Sequence, residues 1–305
     1  MRITTIADLG MMLPVGVEVD GQAGRSRELA FKGWDTTDEI AIGAIRDRNR
    51  AMGHGGFATE VLAHFLAKWG AHDFSVLKPA ERILILKRSW AADFYFAWFQ
   101  LRREVLGNDL DLSLTCPLCR FKFPYTVDLS TVEVFVIDDD EVVEWPLSLR
   151  DGIDYAGASR KLVTMAPLRW HVHESSVKTS DGALNVGAIK LDVIRGSIVG
   201  VDGSADRIVL PPSVKISKYD IEAISNEIQE QQPGPDLSIE PACPECGTTF
   251  PRTITWIYDS FFSVEASSRG RPATRPGRSS LRSRTTSPGS PSISAEQRPP
   301  TENGG

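Results

Sequence analysis

Thr115-Cys116-Pro117-Leu118-Cys119-Arg120 and Ala242-Cys243-Pro244-Glu245-Cys246-Gly247 between them hold every cysteine of this 305-residue chain. Each is a C-P-x-C step, a tight turn that aims two thiolates at one point. Two such turns supply the four sulfurs that tetrahedral Zn²⁺ takes. Proline narrows the backbone choices inside the turn, and Gly247 can take the positive φ often needed just after it. Each pair is expected at the tip of a β-hairpin. Leu110 to Thr115 leads into the first turn and Phe121 to Val127 leads out, while Leu237 to Ala242 leads into the second and Thr248 to Trp256 leads out.

The spacing departs from an ordinary zinc ribbon. A compact ribbon separates its pairs by roughly 15–20 residues, whereas 123 residues lie between Cys119 and Cys243. Either the two hairpins meet around one metal, with a whole segment inserted between them, or each pair stands alone as a local disulfide or as unliganded thiols. The reading adopted is a single structural Zn²⁺ held by Cys116, Cys119, Cys243 and Cys246. No cysteine is left over, and four thiolates close the coordination sphere, so the metal is structural and not catalytic. His54, His64, His72, His171 and His173 show no ligand spacing relative to the turns.

Composition and charge narrow the class. The chain carries 34 Lys and Arg against 40 Asp and Glu, a net charge of −6. From Ala266 onward it has seven Arg and two Glu, which leaves a body of 27 basic and 38 acidic residues at −11. The tail is Ser, Arg, Pro and Gly with almost no apolar residue, so it cannot offset the entropy of ordering and is expected to be disordered. No apolar run of about 18 residues is present, so no membrane span is expected. The start of the chain lacks the basic stretch and cleavage site of a secretory signal. Paired C-x-x-C steps without such a signal favour a reducing cytoplasm.

Along the chain, Leu13 to Val19 alternates at period two and can pair with Arg27 to Lys32. A helix is expected from Asp35 or Thr36 to about Asn49, with Asp38 and Glu39 favourably placed in its first turn. Gly53 to Gly56 breaks it, and Phe57 to Trp69 reads as a second helix carrying His64 as a surface or half-buried residue. The spacing predicts a third, single helix over 80–106, started by Pro79 and stopped by Gly107, with Trp90, Phe94, Tyr95, Phe96, Trp98 and Phe99 mostly in the core. Val132 to Ile137 reads as a strand, Leu162 to His173 as a strand pair or a strand with a Pro bend, and Leu191 to Gly203 as a strand. Ser217 or Lys218 opens a last helix with Ile221, Ile224 and Ile228 as its seam. The whole is α+β: a β-hairpin and helical region over 1–109, a split zinc ribbon with a β-rich insertion over 110–265, and the tail over 266–305.

Other polar groupings are weaker. Asp138-Asp139-Asp140-Glu141 lacks the glycine and ligand spacing of a Ca²⁺ loop and reads as a solvated loop. His171 and His173 would share one face of a strand, but no third ligand is near. The chain has no G-x-x-x-x-G-K-[ST], G-x-G-x-x-G or G-x-S-x-G motif, and its histidines form no nucleophile–base pairing. An enzyme is therefore not expected.

The order of motifs is similar to the T-even phage baseplate hub assembly chaperone family, whose members also occur in phage-tail-like contractile injection systems. The resemblance is carried by Leu13-Pro14-Val15-Gly16, by the Trp34-Asp35-Thr36-Thr37-Asp38-Glu39 helix start and by Glu81 to Arg88. It continues through Leu106-Gly107, the first C-P-x-C, Ile194 to Gly203 and Lys218-Tyr219-Asp220, and ends with the second C-P-x-C-G and Phe261-Phe262. It covers roughly residues 10 to 265. It implies a protein that helps assemble, or forms part of, the baseplate end of a contractile tail, with baseplate or hub proteins as partners. Only the four cysteines carry over as functional residues, and the basic tail departs from the family pattern. The alternative is a zinc-ribbon nucleic-acid-binding protein, favoured by the six arginines between Arg269 and Arg284 and opposed by the acidic body, which repels phosphate.

Overall fold

The computed structural model describes residues 1–19, 24–49, 54–139, 141, 143–176, 186–202, 204 and 206–254. The tail expected to be disordered (266–305) lies outside the described residues, as does the end of the last expected strand. The architecture is α+β, built from helices and several small antiparallel sheets.

The chain enters through β1 (Arg2–Thr5) and one helical turn, α1 (Ile6–Leu9). β2 (Met12–Glu18) and β3 (Arg25–Phe31) form the expected hairpin. After α2 (Thr36–Asn49) and α3 (His54–Phe65) come β4 (Leu66–Trp69) and β5 (His72–Asp73), which complete a sheet of order β2-β3-β4-β5. Next are α4 (Pro79–Arg88), α5 (Ala91–Leu106), the hairpin β6 (Asp109–Thr115) and β7 (Lys122–Asp128), and β8 (Glu133–Val136). A second sheet, β9-β10-β11, is built from β9 (Trp145–Tyr155), β10 (Ala158–Met165) and β11 (Ile198–Val201), with α6 (Trp170–Ser176) and α7 (Val186–Ser197) between the last two strands. The chain then runs through α8 (Lys218–Gln231), β12 (Gly234–Pro235) and a last short hairpin, β13 (Ser238–Ile239) with β14 (Arg252–Thr253). β1, β8 and β12 form a third sheet that ties the N-terminus to both halves.

Four expectations are corrected. The single helix over 80–106 is two helices, because Ser89 and Trp90 are extended (φ −69, ψ 162 and φ −65, ψ 139). The break lets Ser89 accept from Trp170 N and lets Ala91 N donate to Leu168 O, both at 2.8 Å. Ser89 Oγ also accepts from the buried Trp69 indole at 2.8 Å. At about 1 kcal/mol net each, these bonds offset helical links lost at the break. The aromatic face reads as expected: Trp90, Phe94, Phe96, Trp98 and Phe99 are buried, with Tyr95 partly so.

The helix over 57–69 stops at Phe65, and Leu66 to Trp69 is strand β4, paired with β3. Leu191 to Ser197, expected as strand, belongs to helix α7, and only Ile198 to Val201 is extended. Its run of β-branched residues is overridden by helix packing: a Cβ on Gly196 would stand 2.5 Å from Val172 Cγ1, so only glycine permits that approach. The stretch through His171 and His173 is α6, not strand, so two residues apart no longer means one face. His171 Nδ1 lies 3.0 Å from Lys87 O. Even with α6 and α7 present, strand residues outnumber helical ones among the described residues between 110 and 212.

Two buried carboxylates fix the sheets to the helices. Asp93, the third residue of α5, accepts from Val15 N (2.8 Å) and Gly16 N (3.0 Å). Asp220, the third residue of α8, accepts from Arg150 N (2.8 Å), Asp151 N (3.2 Å) and Gly152 N (3.0 Å). Gly16 and Gly152 have φ of +87° and +84°, where a side chain would be strained.

In the acidic run at 138–141 the described residues are anchored. Asp138 O accepts from Arg25 Nη2 at 2.5 Å, Asp139 pairs with Arg27 at 2.8 Å, and Glu141 pairs with the N-terminal ammonium group. Asp140 lies outside the described residues.

Candidate metal centre

Both C-P-x-C turns close in the same way. Cys116 N donates to Phe121 O at 2.9 Å and Arg120 N to Cys116 O at 3.1 Å. In the second turn Cys243 N donates to Thr248 O at 2.9 Å and Gly247 N to Cys243 O at 2.8 Å. The residue four places after the first cysteine is left-handed in each, Arg120 at φ 63° and Gly247 at φ 71°.

The two hairpins meet. The Cys116 and Cys246 sulfurs are 3.7 Å apart, the Cys119 and Cys243 sulfurs 3.6 Å, and all four lie within 4.8 Å of one another. All four are free thiols, so the local-disulfide reading of each pair does not hold. Cys116 and Cys243 are buried, Cys119 and Cys246 exposed, so the cluster sits at the surface with its inner side sealed. The seal is a small apolar cluster of Leu114, Phe123 and Phe250 around the two buried sulfurs. Among the described residues this is the one group of at least three His, Cys, Asp or Glu side chains that could hold a metal ion.

The thiols perturb one another. Hydrogen bonds from the Thr248 hydroxyl and amide pull Cys246 down to about 6. Cys119 accepts from the Phe121 amide, yet burial and hydrogen bonding to Cys243, Cys116 and Cys246 push it up to about 12. Four sulfurs this close cannot all be anionic without a cation among them, and a dication supplies that charge.

Other polar side chains lie in groupings away from the cysteines. His64 Nε2 is 2.6 Å from Asp38 Oδ1, which also binds Lys32 Nζ at 2.9 Å. A hollow of about 390 Å³ beside Trp90 has Arg88, His72 and Arg169 on its wall. Arg169 lies flat on Trp90, 3.2 Å from the ring centroid, and faces Glu18 at 4.0 Å, with burial lowering its guanidinium to about 10.

The sequence marks neither Asp93 nor Asp220 as a structural carboxylate, although it carries a signal for the pair. Asp93 precedes Cys116 by 23 residues, and Asp220 precedes Cys243 by 23. No helix among the described residues is long and apolar enough to cross a membrane. No family model, curated protein or solved structure matches the chain.

Proposed function

We propose that the four cysteines hold one structural Zn²⁺, and that the protein is an assembly factor or structural component of the baseplate of a contractile phage tail or tail-like injection system. The observation that carries the metal assignment is the convergence of four thiols from hairpins 124 to 130 residues apart. Sulfurs at about 2.3 Å from a tetrahedral zinc are about 3.8 Å from one another, close to the 3.7 and 3.6 Å of the two facing pairs. A disulfide would need about 2.05 Å.

Four thiolates leave no open position for water or substrate, which favours a scaffolding role over metal-assisted hydrolysis. Closing a loop of this length costs several kcal/mol of chain entropy. A metal whose binding is coupled to folding offsets that cost and keeps distant segments together while partners dock. The baseplate role rests on the resemblance of the motif order, and an acidic body at −11 suits a protein partner better than nucleic acid.

Two measurements test this reading. Elemental analysis of purified protein should give one zinc per chain, and a preparation with iron or no metal would refute the assignment. Affinity capture from the native cell should retain sheath, tube or hub proteins. Recovery of nucleic acid in their place would promote the nucleic-acid reading.

A further inference from the structure

We infer that the chain is a tandem duplication of one module, residues 12–128 and 145–254, and that its four-cysteine cluster is built from two equivalent half-sites, one donated by each copy. The inference rests on strand register and on equivalent side-chain contacts, and does not depend on the zinc assignment.

The two sheets share their irregularities. In the first, β3 pairs with β4 as Leu29↔Trp69, Ala30↔Lys68 and Phe31↔Leu66, with the register slipping between Ala30 and Phe31. In the second, β10 pairs with β11 as Val163↔Val201, Thr164↔Gly200 and Met165↔Ile198, with the slip between Thr164 and Met165. The slip falls at the same step of the same strand. The flanking bonds match too: Lys32 N donates to Phe65 O and Ala166 N to Ser197 O, both at 2.8 Å. In both copies a helix runs into the third strand without an intervening residue, α3 into β4 and α7 into β11.

The latches are also equivalent. A Cβ on Gly16 would meet Ser26 O and Arg27 Cγ, and one on Gly152 would meet Arg160 O and Lys161 Cγ. Ser26 and Arg160 are 134 residues apart, as are Arg27 and Lys161. Each glycine is held by a carboxylate at the third position of the helix that leads into the cysteine hairpin, α5 in the first copy and α8 in the second.

From that helix onward the offset is constant at 127 residues, linking Asp93 to Asp220, Cys116 to Cys243 and Cys119 to Cys246. Hairpin register is preserved: Asp111↔Thr126, Leu112↔Tyr125 and Thr115↔Lys122 correspond to Ser238↔Thr253, Ile239↔Arg252 and Ala242↔Thr249. Upstream the offset is 136 at the glycines, 134 on β3 and 132 on β4, so the copies differ by a few residues in their connections. That is where duplicated chains tolerate change. The extra α4 of the first copy lies between β4 and α5, where the offset changes most, from 132 to 127.

The two half-sites are related by a local two-fold. Exchanging equivalent residues turns the Cys116–Cys246 contact (3.7 Å) into Cys243–Cys119 (3.6 Å). Phe123 and Phe250, equivalent to each other, meet edge to face at 6.4 Å. Contact between equivalent residues is the mark of an isologous interface. The module is therefore a unit that pairs with a copy of itself through its cysteine hairpin, here within one chain. What reads in sequence as a segment inserted in a zinc ribbon is the body of the second copy.

The test uses the full chain. In an exchange variant the two turns swap sequence: L118E, R120G and F121T combined with E245L, G247R and T248F. It should hold as much metal per chain as the parent. A folded variant that loses metal held by the parent would overturn the equivalence of the half-sites. Amide exchange provides an arm that needs neither metal nor the swapped turns. Asp93→Asn should raise exchange at Gly16 about tenfold and spare Gly152, and Asp220→Asn should do the reverse. Either substitution leaving its own glycine unchanged would refute the duplicated latch, and with it the duplication. A parent chain without metal would refute the zinc assignment alone, with amide exchange deciding the duplication.

Discussion

The carboxylate of Asp93 accepts the amide of Gly16 at 3.0 Å from a position with no solvent exposure. Burial raises this carboxyl from 3.8 to about 6, against the Val15 and Gly16 amides and the cations of Arg27 and Arg169, which favour the anion. Between those two values the folded state binds more protons than the unfolded one. Stability should therefore fall as pH rises from 3.8 through about 6 and level off above it. The effect amounts to at most about 3 kcal/mol. Urea midpoints across this range should show the slope in the parent and lose it in Asp93→Asn; identical slopes would contradict the assignment.

Asp38 should behave in the opposite sense. Burial opposes its ionisation, but the Asp35 amide, Lys32 and His64 outweigh it and lower the carboxyl from 3.8 to about 2. Its contribution is full above 3.8 and is lost as pH falls through about 2. Asp38→Asn should cost about 2 kcal/mol at neutral pH. The gap from the parent should close in acid, which denaturant melts at several pH values would record.

Arg120 occupies a left-handed position that glycine fills in the second turn, at φ 63° against 71° for Gly247. Relief of about 1–2 kcal/mol of strain exceeds the roughly 0.5–1 kcal/mol of unfolded-state entropy that glycine adds. Arg120→Gly should raise the thermal midpoint slightly without changing metal content. A lower midpoint would show that the Arg120 side chain contributes something the backbone argument omits.

Cys243 is buried and faces Cys119 at 3.6 Å. Cys243→Ser should abolish metal retention in elemental analysis and open the hairpin around Ser238 to Thr253 to amide exchange. Because the closure constraint goes with the metal, protection should also fall in the residues between the two turns. Unchanged protection there would mean that packing alone holds the two hairpins together.

Deleting Ser267 to Gly305 should leave the thermal midpoint and metal content unchanged. Six clustered arginines can neutralise only a few phosphates, so binding of the full chain to DNA should appear at low salt alone. Tight binding retained near roughly 0.15 M salt after tail deletion would overturn the assembly reading.

The sequence by itself determined what is local. Cysteine spacing located the turns, Ser217 located the start of α8, and period-two alternation located β2, because each depends on a few neighbouring residues. It also contained the repeated 23-residue interval from aspartate to cysteine, which has no meaning until both aspartates are seen gripping a glycine amide. Tertiary structure decided the rest. It broke the long helix at Ser89 so that Ser89 and Ala91 could bond Trp170 and Leu168, and it kept Leu191 to Ser197 helical because Gly196 lets α7 approach Val172. It also brought Cys116 beside Cys246 across 130 residues of chain. Partners so far apart in sequence leave no periodic trace, since the energy that selects them comes from contacts formed only when both halves have folded.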